Sequence, residues 1–144
     1  MKVERSMQLN ASPDEVRQLV MDPNRLGDWV SIHQGLEDAP PGGKLQKGSE
    51  LTQCLKLAGQ RFNVTWKVTE NTPEKVVWDG KGPVRSKAKV VYEFEAKDGG
   101  TCFSYLNEYN LPGGPLGRMA GPAVKRVTGG ELNKSLKNLK KLFE

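Results

Sequence analysis

Apolar and polar positions alternate along most of this chain with a period of two, and near its C-terminus the period lengthens to that of a helix. Val3, Met7 and Leu9 share one parity against Glu4, Ser6 and Gln8, the pattern of a strand with one buried face, and Arg5 interrupts it on the inward parity. Ser12-Pro13-Asp14-Glu15 then predicts a helix: an N-cap serine, a proline at the first position, a glutamate placed to close a capping box, and Ala11 and Val16 as a staple. Val16, Leu19 and Val20 form its apolar stripe, and Asp22-Pro23 stops it. Arg25 to Val30 reads as a short second helix carrying Trp29, followed by a loop that holds His33 and becomes rich in proline and glycine from Ala39 to Gly43.

Strands follow. Leu51, Gln53, Leu55 and Leu57 oppose Glu50, Thr52, Cys54 and Lys56, and Phe62, Val64, Trp66 and Val68 repeat the pattern after a turn at Ala58-Gly59-Gln60. Glu74 to Asp79 is a shorter strand with Val76 and Trp78 on one side, turning at Gly80-Lys81-Gly82-Pro83. Ala88, Val90, Tyr92, Phe94 and Ala96 share a face of the next strand, Asp98-Gly99-Gly100 marks a turn, and Phe103, Tyr105, Asn107 and Tyr109 share a face of the strand from Thr101 to Leu111. Beyond Pro112-Gly113-Gly114-Pro115, Leu132, Leu136, Leu139 and Phe143 recur at helical offsets, predicting an amphipathic helix from Glu131 to Glu144. A meander with one apolar face needs a cover, and this closing helix has a matching stripe. The expectation is one α+β domain over residues 1–144, a curved antiparallel sheet around a C-terminal helix with short N-terminal helices.

Composition adds bounds. At 144 residues the chain is long enough for a continuous core, and with glycine counted and tyrosine left out its apolar share is about 45%, ordinary for a globular protein. No run approaches the roughly 20 apolar residues that span a bilayer, and Met1 to Leu9 is not a signal-peptide core, so a cytoplasmic location is expected. Cys54 and Cys102 stand far apart in no metal-like spacing and read as small buried thiols. The net charge of +5 permits an anionic partner. Arg118, Lys125, Arg126, Lys134, Lys137, Lys140 and Lys141 concentrate it near the last helix, where a solvated face is the default and an acidic protein or anionic membrane surface the alternative. Nucleic acid is disfavoured, because no interleaved aromatics or reading motif accompany the basic residues.

Ser12-Pro13-Asp14-Glu15-Val16, Asp28-Trp29, Lys47-Gly48-Ser49, Trp66-Lys67-Val68-Thr69 and Gly100-Thr101, in this order of elements, resemble the START-like (SRPBCC) superfamily of helix-grip proteins, which includes the polyketide cyclase/dehydrase group. The likeness spans essentially the whole chain. A subgroup of actinobacterial toxins of type II toxin-antitoxin pairs is similar at Trp29, Ile32-His33, Lys47-Gly48-Ser49, Trp66, Gly80-Lys81-Gly82-Pro83 and Gly113-Gly114-Pro115-Leu116-Gly117. The resemblance implies a cavity between sheet and last helix that takes a lipid, polyketide or other apolar molecule. Its implied alternatives are a toxin acting through its surface on an acidic antitoxin partner, and a cyclase or aromatase working without metal.

The residues themselves lead to the same cavity. The inward faces are heavy in aromatics and carry the amides Gln53 and Asn107, the mix of apolar wall and few polar groups that small-molecule sites use. The candidate ligand contacts are Trp29, His33, Gln53, Trp66, Trp78, Tyr92, Tyr105, Asn107 and Tyr109. For the aromatics plain core packing is the default reading and ligand contact the alternative. No complete catalytic set is visible: His33 is the only histidine, the cysteines are not clustered, no metal or cofactor motif occurs, and Arg5, Tyr92, Tyr105, Glu108 and Tyr109 are the residues a cyclase would draw on.

Overall fold

Period-two alternation becomes a meander where successive strands are joined by short turns. In the computed structural model, which describes residues 2–40, 45–57, 59–110 and 122–144, the strands are β1 (Lys2–Leu9), β2 (His33–Asp38), β3 (Glu50–Leu57), β4 (Gln60–Asn71), β5 (Lys75–Lys81), β6 (Lys87–Lys97) and β7 (Gly100–Asn110). They form one antiparallel sheet in the order β1-β7-β6-β5-β4-β3-β2. The β6–β7 hairpin shows why turn chemistry sets register: Lys97 pairs with Gly100, and the two residues between, Asp98 and Gly99, both have positive φ, 52° and 77°. That is the primed turn whose twist suits a two-residue loop.

The sequence-predicted first helix is α1 (Pro13–Val20), with Ser12 Oγ accepting from the Glu15 N–H at 3.2 Å and Val16 and Val20 buried. A four-residue helix, α2 (Leu26–Trp29), follows a single 3-10 turn. The last helix, α3, runs from Pro122 to Leu142, starting nine residues before the expected Glu131. Gly129 and Gly130 hid that extension, since glycine weakens a helical pattern. The first of them is useful: a Cβ there would lie 2.6 Å from Arg5 Nη2, so its bare backbone admits the β1 edge. Arg5, the inward-parity charge, therefore leans over α3 with its guanidinium exposed and donates to the Glu4 carbonyl at 2.8 Å.

Leu132, Leu136 and Leu139 of α3 are buried against the inward sheet face, and Trp29, Tyr92, Phe103 and Tyr105 pack against one another in edge-to-face and tilted pairs with ring centroids 5.4 to 6.3 Å apart. Segment 29–31 is fastened to α3 by polar contacts: Ser31 N donates to Ser135 Oγ (2.9 Å), Ser31 Oγ to Glu131 Oε2 (2.6 Å), and Asn138 Nδ2 to the Trp29 carbonyl (3.3 Å).

Four expectations are corrected. His33 opens a strand, β2, and does not sit in a loop; two register shifts, after His33 and after Leu36, spoil the period of this edge strand and concealed it. Gly80-Lys81 belongs to β5, not to a turn, and the chain reverses one step later through Pro83–Arg85. Cys54 and Cys102 are free but only half-buried, because their parity is that of the outer sheet face. Ala96, on the inward parity, is exposed because it lies at the last turn of the strand, beyond the helical cover. The expected loop at Ala39 to Gly43, the turns at Ala58-Gly59-Gln60 and Pro112 to Pro115, the Gly113 to Gly117 motif and Arg118 lie wholly or partly outside the described residues. No described helix is long and apolar enough to cross a membrane.

Candidate functional site

Between the inward sheet face and its cover, α3 together with residues 26–32, the side chains do not fill all the space. Two adjoining hollows remain, an outer one of about 110 Å³ and an inner one of about 60 Å³. Val30, Ile32, Leu55, Trp66, Tyr105 and Asn107 border both, so they are lobes of one site. The outer lobe is completed chiefly by apolar groups, Leu57, Phe62, Val64, Ala88 and Leu132, and is edged by Ser31, Tyr109, Thr128, Glu131 and Ser135. Lys87 also reaches it. The inner lobe is bounded by Leu26, Leu51, Gln53, Trp78, Val90 and Tyr92 and carries no ionised side chain. These lobes are smaller than the few hundred Å³ that small-molecule sites commonly have.

Of the sequence-predicted contacts, Gln53, Trp66, Trp78, Tyr92, Tyr105, Asn107 and Tyr109 border this space, while Trp29 and His33 do not. Trp29 is fully buried within the ring cluster, and its indole N–H, like that of Trp78, meets no hydrogen-bond acceptor among the described residues. His33 stands behind Gln53. Sequence reasoning missed Ser31, Thr128, Glu131 and Ser135, since polar residues at helical spacing signal a solvated face unless the partner that buries them is known.

Gln53 is held from both ends. Trp66 Nε1 donates to Gln53 Oε1 at 3.0 Å, which fixes the amide's orientation and turns Nε2 toward His33 Nδ1, 2.7 Å away. An amide nitrogen only donates, so Nδ1 accepts, and the imidazole is neutral with its proton on Nε2. Burial lowers the His33 pKa below 6.5, in keeping with that state. The buried amide is thus satisfied by protein.

At its other side the Trp66 indole lies over β5. Trp66 pairs with Gly80, and a Cβ on Gly80 would stand 2.6 and 2.7 Å from Trp66 Cζ3 and Cε3 and 2.9 Å from Val64 Cγ1. The ring occupies the place of the side chain that glycine lacks, which is why this glycine falls inside a strand. With Nε1 toward β3 and the Cε3–Cζ3 edge over β5, the indole spans three strands.

The phenols are donors that resist ionisation. Burial pushes Tyr105 up to about 12, partly offset by a hydrogen bond from Asn107; burial and then the neighbouring Tyr105 raise Tyr92 well above 10; and burial raises Tyr109, offset by its hydrogen bond with Thr128. No group of three or more His, Cys, Asp or Glu side chains that could hold a metal occurs among the described residues. The arrangement offers apolar contact and a few neutral hydrogen-bonding groups.

This geometry, a seven-stranded antiparallel sheet closed by a C-terminal helix over a small apolar space, is the helix-grip fold of the START-like superfamily. The chain matches the family described as polyketide cyclase / dehydrase and lipid transport over residues 1–144, and it belongs to that family. Among relatives, the uncharacterized protein Rv1546 of Mycobacterium tuberculosis is 31% identical over 144 residues, covering 98% of this chain and 97% of that one. Toxin Rv0910 of the same species is 23% identical over 145 residues, covering 99% and 97%. A START superfamily protein from Mycobacterium smegmatis superposes with a TM-score of 0.76 at 18% identity over 99% of this chain and 96% of its own. Ginseng major latex-like protein 151 from Panax ginseng does so with a TM-score of 0.75 at 10% identity, over 99% and 97%.

Proposed function

We propose that this protein binds a hydrophobic small molecule in the two-lobed space between the sheet and its cover of α3 and residues 26–32. The observation that carries the reading is the space itself: its wall is mostly apolar, with a few polar groups, among them Ser31, Glu131 and Ser135 on the outer lobe and Gln53 and Asn107 further in. Small-molecule sites combine these features. Membership of a family described by cyclase, dehydrase and lipid-transport members supports it. The test is mass spectrometry of the protein isolated under native conditions, beside an Ala88→Phe variant that fills the outer lobe. A small molecule retained by the wild type and lost in Ala88→Phe is expected; a ligand retained equally by both, or none from any cell extract, would count against the site.

A second reading has one specific support, the 23% identity with a mycobacterial toxin along nearly the whole chain. In it the exposed Lys125, Arg126, Lys134, Lys137, Lys140 and Lys141 of α3 meet an acidic antitoxin. Induced expression of the chain alone should then arrest growth, and unchanged growth would remove that support.

A further inference from the structure

Which hydrophobic molecule fits is a question of shape, and Trp66 and Gly80 bear on it most directly. Trp66 borders both lobes and stands where they meet. Its ring is pinned on the β3 side by Gln53, which His33 holds in turn, and on the β5 side it rests where Gly80 has no side chain. The sheet backbone lies beneath it. An indole held in this way cannot slide along the sheet to widen the room where the lobes meet, and it rises into the site only if something at position 80 lifts it. The available room is therefore bounded on the sheet side by one residue's ring and one residue's lack of atoms.

Volume and charge narrow the guest further. An apolar cavity of about 150 Å³ takes a benzene ring, so only the two adjoining lobes together, about 110 and 60 Å³, have room for one ring with a short substituent. The inner lobe offers no ionised partner, and a buried charge without one is strongly disfavoured.

We propose, resting on the reading of this space as a ligand site, that the ligand class is a compact molecule of single-ring size, uncharged where it meets the inner lobe, and that Trp66 and Gly80 are the residues that set this limit. Long-chain lipids and fused-ring molecules exceed this room. Gly80→Ala drives the indole off the sheet and closes the site, whereas Trp66→Phe widens the room where the lobes meet and relaxes the limit.

Ile32 is the only isoleucine of the chain and borders both lobes, so its methyl resonance gives a single reporter for either. Toluene, 1-methylnaphthalene and palmitic acid are titrated into the full-length protein while that resonance is followed by NMR. For the wild type, toluene is expected to shift the signal and to bind roughly tenfold more tightly than the other two. Trp66→Phe should bring 1-methylnaphthalene to parity with toluene, and Gly80→Ala should lose toluene by roughly tenfold or more with an unchanged circular dichroism spectrum. If palmitic acid or 1-methylnaphthalene binds the wild type as well as toluene, the size limit is overturned while the ligand-site reading stands. If no probe moves the Ile32 signal, the ligand-site reading itself fails. Should Gly80→Ala not fold, the Trp66→Phe preference decides alone; an unchanged preference there overturns the role given to the indole.

Discussion

Two short polar chains do most to orient the interior of this molecule, and each can be tested at the level of one residue. In the first, Trp66, Gln53 and His33 are linked in that order, and the link requires a neutral imidazole. Because burial lowers the folded-state pKa of His33 beneath 6.5, the unfolded chain takes up the proton first as pH falls. The stability from this group is fully present above pH 6.5 and declines as pH drops toward the lower folded value. Urea unfolding should show the wild type losing stability below pH 6.5 faster than His33→Asn, whose amide oxygen can still accept from Gln53. Equal slopes would mean His33 is not held neutral. In the second chain, Ser135 is 2% exposed and its hydroxyl receives the Ser31 N–H. Ser135→Ala leaves that donor without a partner, and a loss of about 1–3 kcal/mol is expected in the same unfolding assay.

At the scale of elements, the outer sheet face shows an order that the inner face does not need. Glu50, Lys67, Asp79, Lys89, Glu108 and Lys2 stand directly opposite one another in sequence across β3, β4, β5, β6, β7 and β1, so charge alternates along one row through six strands. Cross-strand pairs of opposite charge contribute modestly, like charges opposed by a similar amount, and a slip of one strand would break the row. Asp79→Lys places three lysines side by side, and a destabilisation of about 1 kcal/mol is expected, shrinking as salt is added. A salt-independent effect would point away from the row. Hydrophobic alternation announces these strands well, with β2 as the exception. Its two irregularities and its place at the sheet edge remove the alternation that a strand needs in order to be seen.

For the whole molecule, the ring cluster beneath α3 governs behaviour at high pH. All three tyrosines of the chain have raised pKa values, chiefly through burial. The unfolded chain releases these protons near pH 10 and the folded one only above it, so native stability should fall as pH rises past 10. Phenolate absorbance is expected to remain low in the folded protein at pH 10 and to appear together with unfolding. A gradual rise in phenolate before any loss of circular dichroism would contradict the enclosed cluster.

Strand faces, the capped first helix, the closing helical stripe and the inward placement of Gln53 follow from the sequence by itself, because alternation and capping are local and each side chain carries its own preference for water or core. The residual space between sheet and helix was decided only by the tertiary structure. A cavity is the difference between shapes brought together from distant parts of the chain, and here it depends on Trp66 resting over Gly80 of the next strand, on His33 standing behind Gln53 instead of facing the hollow, and on Ser31 meeting Glu131 and Ser135 across a hundred residues. None of those encounters leaves a period in the sequence.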